Sequence, residues 1–306
     1  MKIITLTLSP AFDIHCHADK LILDHENLVY MDLCQAGGKG VNISRALVHN
    51  GTPNRALLVL GEENADGFMR NLDIDGVTYE AITVPGRIRE NITIHTGSAE
   101  TRISFPGFRV EPDVLPQVEE KLLTLVDDET IVTMTGRTAE GMAVADVAAM
   151  LRKAAAKGAK IVVDSRSFSL EDLKKLNPWL IKPNQEEISA YLGRKVDSLE
   201  ETLQEATALQ QAGITNVMIS MGGEGALLVC EEGAYIAVPP EVPVQSTIGA
   251  GDSAIAGFIA CPEEKAQQRL AWAVAYGTAA CMAEGTLPPE PADIQGALSR
   301  IQLKKL

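Results

Sequence analysis

The stretch Ser246–Ser253, which reads STIGAGDS, is the part of the chain around which we interpret the rest. It lies between a short apolar segment, Val242–Gln245, which predicts a strand, and a run of small and apolar residues, Ala254–Ala260, which predicts a helix. Glycines before a helix let the backbone turn tightly and point several N–H groups at one spot, where the helix dipole adds partial positive charge. The stretch therefore predicts an anion-binding site.

Asp252 is the unexpected residue of this stretch, because a carboxylate beside an anion site would repel the bound anion. A carboxylate is accommodated there if it faces a hydroxyl group that has to lose its proton. An anion site with an adjacent base is what transfer of a phosphoryl group to an alcohol requires. Two alternatives stay open for the segment taken alone. One is a dinucleotide-binding G-x-G-x-x-A turn over Gly249–Ala254, which would need a following strand and a ribose-binding acid; the other is a helix cap without chemistry.

The composition describes an acidic α/β protein. The chain has 306 residues, of which 46% are hydrophobic and 4% aromatic, enough for one large domain with a small appendage. Its 27 Lys and Arg against 41 Asp and Glu give a net charge of −14, which argues against nucleic acid and membrane surfaces as partners. The five cysteines lack C-x-x-C spacing, and we see neither a leader nor a membrane-spanning run. We therefore expect a cytoplasmic protein with reduced thiols.

A second glycine-rich loop, Gln35–Asn42, reads QAGGKGVN and leads into a predicted helix, Val41–His49. It is not a P-loop, because glycine follows the lysine where serine or threonine is required. Three glycines around Lys39 still let the backbone approach a ligand closely beside a cation. The alternative is a tight turn with a solvated lysine.

The order of strand and helix patterns predicts the fold class. From Glu111 onward strands and helices alternate, and Ile161–Val163 is apolar throughout, which is typical of a strand buried on both faces. Such repeats predict a parallel sheet with ligand loops at the carboxyl ends of its strands. Before that point, Ala11–Leu33 lacks helical periodicity. It contains His15 and His17, too few ligands for a zinc site. Three further segments also look extended, with connections around Pro85–Gly86 and Ser98–Glu100: Thr78–Val84, Asn91–Thr96 and Thr101–Phe105. Together with Ala11–Leu33, they predict one appended β-sheet.

The two glycine-rich loops together resemble the paired signatures of the ribokinase-like carbohydrate kinases, the phosphofructokinase B family. Further matching stretches are Leu8–Asp13, Gly86–Asn91, Trp179–Asn184 with Glu187, and Ile219–Ala226. The resemblance covers essentially the whole chain, residues 1–306, as a single kinase domain. It implies a three-layer α/β/α fold with a mostly parallel central sheet and a small β-sheet lid from segments 11–34 and 86–107. It also implies that the lid carries the contact of a homodimer.

The resemblance further implies ATP-dependent phosphorylation of a ketohexose phosphate with Mg²⁺. Fructose 1-phosphate is the expected substrate; tagatose 6-phosphate and a sensor without catalysis are the alternatives. Asp252 would be the base, and the amides of Gly249, Ala250 and Gly251 would hold the phosphoryl group. The sugar contacts would be Asp13, Gly37, Gly38, Lys39, Asn42, Arg89 and Asn91, with Lys39 and Arg89 at its phosphate. The nucleotide contacts would be Lys182, Asn184, Ser220, Gly222, Gly225 and Thr247, with Asn184 and Glu187 near the metal.

Two positions depart from the family pattern. Ser9 stands where Asn is common, and Thr135–Gly141 replaces an expected S-G-S-L-P-x-G loop. Because that loop would border the sugar, the departures bear on substrate identity more than on the chemistry. Arg137 in this loop is either a further phosphate contact or a surface charge.

Overall fold

The computed structural model describes residues 1–97 and 99–306. Its strands, in chain order, are β1 Lys2–Thr7, β2 Ala11–His17, β3 Tyr30–Gly37, β4 Arg55–Gly61, β5 Tyr79–Val84, β6 Arg89–Thr96, β7 Ala99–Ser104, β8 Thr130–Thr135, β9 Lys160–Asp164, β10 Leu180–Ile181, β11 Asn216–Ser220, β12 Ala226–Cys230, β13 Gly233–Val238 and β14 Gln302–Lys305. Its helices are α1 Lys39–His49, α2 Ala65–Ile74, α3 Val114–Leu125, α4 Val144–Ala156, α5 Leu170–Leu176, α6 Gln185–Leu192, α7 Leu199–Gln211, α8 Ala250–Ala260, α9 Ala266–Cys281 and α10 Pro291–Leu298.

The strands form a large sheet and a small one. The large sheet has ten strands in the order β14-β13-β12-β11-β10-β9-β8-β1-β4-β5. Its strands from β11 to β5 run parallel, whereas β12, β13 and β14 pair antiparallel. The small sheet has four strands in the order β3-β2-β6-β7. The predicted mixed α/β architecture, a mostly parallel central sheet with a separate small sheet, is confirmed.

Helices cover both faces of the large sheet. One hydrophobic cluster joins one face to α1, α8, α9 and α10 through side chains such as Leu47, Phe258 and Leu270. A second cluster joins the opposite face to α2 through α7, with Phe68 and Leu151 among its members. Burial on both faces explains why the central strands read as continuous apolar runs.

Several predicted elements are wrong. Thr78–Val84 does not belong to the appended sheet: β5 pairs parallel with β4 at the edge of the large sheet, where Ile82 and Val84 are buried. Val242–Gln245 forms no strand, since Pro243 has no N–H to donate and Val244 is exposed. The helix predicted from Ala139 begins only at Val144. Helix α5 and strand β14 were not predicted, and Ser98, placed in a predicted connection, lies outside the described residues.

Within residues 1–97 and 99–306, no helix is long and apolar enough to cross a bilayer. The five cysteines, all inside these ranges, are free thiols. His17 stacks on Tyr30 and its ring nitrogen contacts Asp32, while His15 stacks on His95. No cluster of three or more metal-ligating His, Cys, Asp or Glu side chains occurs in the described part of the chain.

Candidate active site

The first turn of α8 presents free backbone donors. Gly249 is the N-cap residue and adopts a left-handed conformation, with φ of 79°. The amides of Gly249 and Gly251 have no acceptor among the described residues, whereas the Ala250 amide donates to the Thr247 carbonyl at 3.4 Å. Unpaired amides at the positive end of a helix dipole attract an anion. Of the three predicted amides, those of Gly249 and Gly251 are therefore free for this purpose.

Asp252 lies in that same first turn and is buried. The Asn42 side-chain amide in α1 donates to its carboxylate Oδ2 at 2.9 Å. Burial raises the pKa of Asp252 to about 6, although Lys39 and the Asn42 hydrogen bond act to lower it. A carboxylate with a pKa near the operating pH is suited to accept a proton from a hydroxyl group.

Asp164 connects the two lysines of the site. It ends β9 and is buried; Lys39 Nζ donates to its Oδ2 at 2.9 Å, and Lys182 Nζ lies 3.7 Å from the same oxygen. Burial alone would raise the pKa of Asp164, but Lys182 and Lys39 outweigh it and hold that pKa below its usual range. Burial alone would lower the pKa of Lys39, but Asp164 and Asp252 raise it. Asp164 is therefore ionised and Lys39 protonated.

Lys182 also faces the start of α8. A Cβ atom built on Gly251 would lie 3.0 Å from Lys182 Nζ, so the ammonium group rests directly against the glycine backbone. Sequence reasoning predicted Lys39 and Lys182 but did not identify Asp164. Its signal was the acid at the carboxyl end of an apolar strand, Ile161–Val163, where ligand-binding residues of parallel sheets are concentrated.

The other glycine-rich loop brings a second carboxylate to the site. Gly38 is the N-cap residue of α1, with φ of 105°. A Cβ built on the preceding Gly37 would lie 2.1 Å from Oδ2 of Asp13, so only glycine fits beneath that carboxylate. The Asn91 side-chain amide donates to Asp13 Oδ1 at 3.0 Å and holds it from β6. These residues come from β2, β3 and β6 of the small sheet and from the start of α1.

Arg89 opens β6 on the same side of the small sheet, and no acidic side chain among residues 1–97 and 99–306 forms a salt bridge with it. Its Nε atom is buried with no hydrogen-bond partner in the described structure. Burial lowers the pKa of Arg89, and the positive charge of Arg137 lowers that pKa further. The negative charge of Asp13 acts in the opposite direction. Two arginines close enough to oppose each other's charge, one with a buried unpaired donor, form a site that an anion would complete.

The predicted nucleotide residues lie at three places. Asn184 and Glu187 form a capping box at the start of α6: Glu187 N–H donates to Asn184 Oδ1 at 2.7 Å, and Asn184 N–H donates to Glu187 Oε2 at 3.0 Å. Arg166, which sequence reasoning did not identify, donates to Glu187 Oε1 at 2.7 Å. Ser220 bridges to Asn184 at the end of β11. Thr247 is exposed just before the α8 turn.

Gly222 and Gly225 differ in what their backbone requires. Both have positive φ, at 59° and 94°. Gly222 is exposed, and a Cβ there would meet nothing within 4 Å. A Cβ on Gly225 would lie 1.9 Å from the Ala237 carbonyl oxygen, so this glycine is required by the close approach of β13. The packing of the turn is therefore sufficient reason for glycine at Gly225.

Comparison with known proteins agrees with this arrangement. Residues 23–292 match the model of the pfkB family of carbohydrate kinases. The chain is 32% identical over 259 residues to a 1-phosphofructokinase of Escherichia coli, covering 84% of this chain and 83% of that one. It is 30% identical over 307 residues to a 1-phosphofructokinase of Borreliella burgdorferi, covering 99% of both.

The fold agrees as well. The crystal structure of phosphofructokinase-2 from Escherichia coli in complex with substrates and products superposes with a TM-score of 0.90 at 27% identity, covering 98% of this chain and 99% of that one. A tetrameric inhibited form of the same enzyme matches with a TM-score of 0.88 at 27% identity, covering 97% of this chain and 98% of that one. The chain therefore belongs to the pfkB family of carbohydrate kinases, and it is an ATP-dependent sugar kinase with the ribokinase-like fold.

Proposed function

We propose that the protein transfers the γ-phosphoryl group of ATP to fructose 1-phosphate, giving fructose 1,6-bisphosphate. The observation that carries the choice of a phosphorylated substrate is Arg89, whose buried Nε has no hydrogen-bond partner among the described residues and whose charge is opposed by that of Arg137. A neutral sugar or a nucleoside would leave this pair uncompensated, whereas a phosphate dianion would accept hydrogen bonds from both. The names of the relatives support fructose 1-phosphate in particular.

In this proposal Asp252 is the general base. It accepts the proton of the acceptor hydroxyl, the oxygen bonds to the γ-phosphorus, and the bond from phosphorus to the β–γ bridging oxygen breaks with its electron pair left on ADP. The free amides of Gly249 and Gly251 and the adjacent Lys182 ammonium group face the position where negative charge develops. Lys39, beside both Asp164 and Asp252, lies where the two substrates would meet.

The sugar would occupy the space between the small sheet and α1. Asp13, fixed by Asn91 and seated over Gly37, is placed to accept hydrogen bonds from sugar hydroxyls. Gly38 and Asn42 follow on the same loop, and Asn42 also orients the base. Arg89, Arg137 and Lys39 would hold the phosphate already on the sugar. The small sheet then acts as a lid from segments 11–34 and 86–107, and its closure would exclude water from the reaction.

ATP would bind along the carboxyl ends of β10 and β11, with Lys182, Asn184, Ser220, Gly222, Gly225 and Thr247 as its contacts. The start of α6 fits a magnesium ion: one carboxylate, Glu187, and one amide oxygen, Asn184, lie together there. Mg²⁺ is usually held by one or two carboxylates together with waters and substrate phosphates, so a larger acidic cluster is not needed. When bound, the ion supplies charge neutralisation to the phosphates.

The small sheet is also the surface we propose for a homodimer. Large apolar side chains are exposed on it and on the loop between β2 and β3, and exposed apolar surface is typical of interaction sites. They are Ile22, Leu23, Leu28, Tyr30, Met31, Ile103 and Phe105. The oligomeric state of a related enzyme, the tetramer of Escherichia coli phosphofructokinase-2, supports self-association in general. ATP and sugar phosphates as substrates support a cytoplasmic location.

The test is ADP release with Mg-ATP against fructose 1-phosphate, tagatose 6-phosphate, fructose 6-phosphate, fructose and a nucleoside. We expect the highest kcat/KM for fructose 1-phosphate. Arg89→Gln should raise KM for the sugar phosphate about 100-fold, since a charge-assisted pair contributes on the order of 2–3 kcal/mol. Arg87→Gln is the matched control, because Arg87 is exposed and paired with Glu90. A preference for an unphosphorylated acceptor would contradict the proposal; binding without turnover would favour a sensor.

A further inference from the structure

One buried carboxylate links the two halves of the site. Asp164 ends β9, Thr135 is its register partner on β8, and Lys182 follows β10 on the other side. All three lie at the carboxyl edge of the sheet and are buried. Asp164 accepts from Lys39 at 2.9 Å and lies 3.7 Å from Lys182 Nζ. Its side chain is 3% exposed and that of Lys182 is 6% exposed, so neither charge is screened by bulk water.

We propose that Asp164 is a positioning residue that holds the ammonium groups of Lys39 and Lys182 apart from the Asp252 base, so that the base stays available to the acceptor hydroxyl group. The inference rests on the proposed phosphoryl transfer. Asp164 does not need to touch either substrate for this function. It acts through the two lysines, one on the loop that would bind the sugar and one beside the α8 turn.

The reason is the competition among charges in a confined space. Asp252 is surrounded by Lys39, Lys182 and the Asn42 amide, and Asp164 is the other carboxylate facing it. Without Asp164, both lysines would be attracted to the remaining carboxylate, Asp252, because a buried charge without a partner is costly and pairing with an opposite charge lowers that cost. A base paired with two ammonium groups would lose proton affinity and be less available to the hydroxyl group. Asp164 therefore keeps the base free of close ion pairs with the two lysines.

This gives a signature that a purely structural residue would not give. Asp164→Asn removes a negative charge next to where phosphates bind, so ADP without divalent cations should bind about threefold more tightly or better. The same change should lower kcat at least about tenfold, because the base is neutralised by the lysines. The acid limb of the kcat profile should move to lower pH. General loosening of the site would instead weaken ADP binding together with turnover.

The experiment measures ADP affinity by calorimetry without divalent cations, and kcat from pH 5 to 8, on the wild type and three variants. Asp127→Asn is the matched control, since Asp127 also pairs with a lysine, Lys2, but precedes β8 at the opposite edge of the sheet. Asp164→Glu keeps the charge and should retain the wild-type ADP affinity and part of kcat. In a Lys39→Gln background, Asp164→Asn should lower kcat by a smaller factor than it does in the wild type, because only Lys182 then remains to pair with Asp252.

ADP binding that is unchanged or weaker in Asp164→Asn would overturn the inference. So would a fall in kcat on Asp164→Asn that is as large in the Lys39→Gln background as in the wild type. The two proposals fail separately. If the wild type turned over none of the sugars, the proposed function would fail, while the affinity of Asp164→Asn for ADP, compared with Asp127→Asn and Asp164→Glu, would still decide the positioning role.

Discussion

The two glycine turns of the site start neighbouring helices, yet they carry opposite charges. Gly38 precedes Lys39 in the first turn of α1, and Gly249 precedes Asp252 in the first turn of α8. A helix dipole favours a carboxylate at this end and opposes a lysine. Each charge is nevertheless perturbed by a second influence: Asp164 stabilises the Lys39 cation, and burial raises the pKa of Asp252 to about 6.

The surroundings of the two turns differ as well. A Cβ on Gly38 would lie 3.1 Å from Thr7 Cγ2 and 3.2 Å from Pro10 Cα, so this turn is packed against β1 and the start of β2. A Cβ on Gly249 would meet only Thr286 Cγ2 at 4.0 Å. The first turn is therefore closely packed, whereas the second is open above its free amides.

The largest expected effect is on turnover through Asp252. Asp252→Asn should lower kcat by roughly 10²–10⁴-fold, the usual contribution of a general base, with little change in sugar binding. It should also stabilise the fold by about 3 kcal/mol at pH 7. Folding raises the pKa of this carboxyl from 3.8 to about 6, so the native state binds its proton more tightly than the unfolded state does. The stability that this proton adds is therefore present below pH 4 and is lost as the pH rises from about 4 to 6.

Thermal unfolding at pH 5 and pH 7, together with steady-state kinetics, measures both effects of this substitution. Asp66→Asn is the control, since Asp66 is an exposed acid in the first turn of α2 and should lose a little stability instead. Near-normal turnover in Asp252→Asn would refute the role of Asp252 as the general base. If both variants were destabilised equally, the prediction that burial of the Asp252 carboxylate lowers the stability of the fold at pH 7 would be wrong.

The next expected effect is a shift in pH dependence. Asn42→Ala removes the hydrogen bond that lowers the pKa of Asp252, so the acid limb of kcat should move up by about 0.5–1 pH unit. Activity then falls at a higher pH than in the wild type, because the base is protonated there. Asn50→Ala, at the other end of α1, should leave the limb in place. A limb that does not move in Asn42→Ala would mean that another group titrates.

The remaining expected effects are on stability, and they separate the two turns. Gly38→Ala should destabilise the fold by about 2–3 kcal/mol, since its φ of 105° and ψ of 142° suit glycine alone and its neighbours are close. Gly249→Ala should cost only about 1 kcal/mol, because its φ of 79° and ψ of −6° are left-handed but unobstructed. Urea unfolding of the pair checks the order. Equal losses would remove the distinction between a packed and an open turn.

The sequence predicts best those features that local chemistry decides. The glycines before Lys39 and Asp252 predict turns however the rest of the chain folds. The apolar run Ile161–Val163 predicts a buried strand. Asp164 was not identified because its importance depends on Lys39, 125 residues before it, and on Lys182, which follows the neighbouring strand; no local pattern reports these contacts. Strand β5 was misassigned for a similar reason: an alternating segment looks the same in either sheet, and only its pairing with β4 decides.

Strand β14 protects the edge of the large sheet. Its four residues, Gln302–Lys305, are exposed throughout and pair antiparallel with β13. An uncovered β13 would offer a row of open backbone groups on which another molecule could add a strand. A short, lysine-bearing strand in that position discourages such growth, so β14 helps the protein resist aggregation.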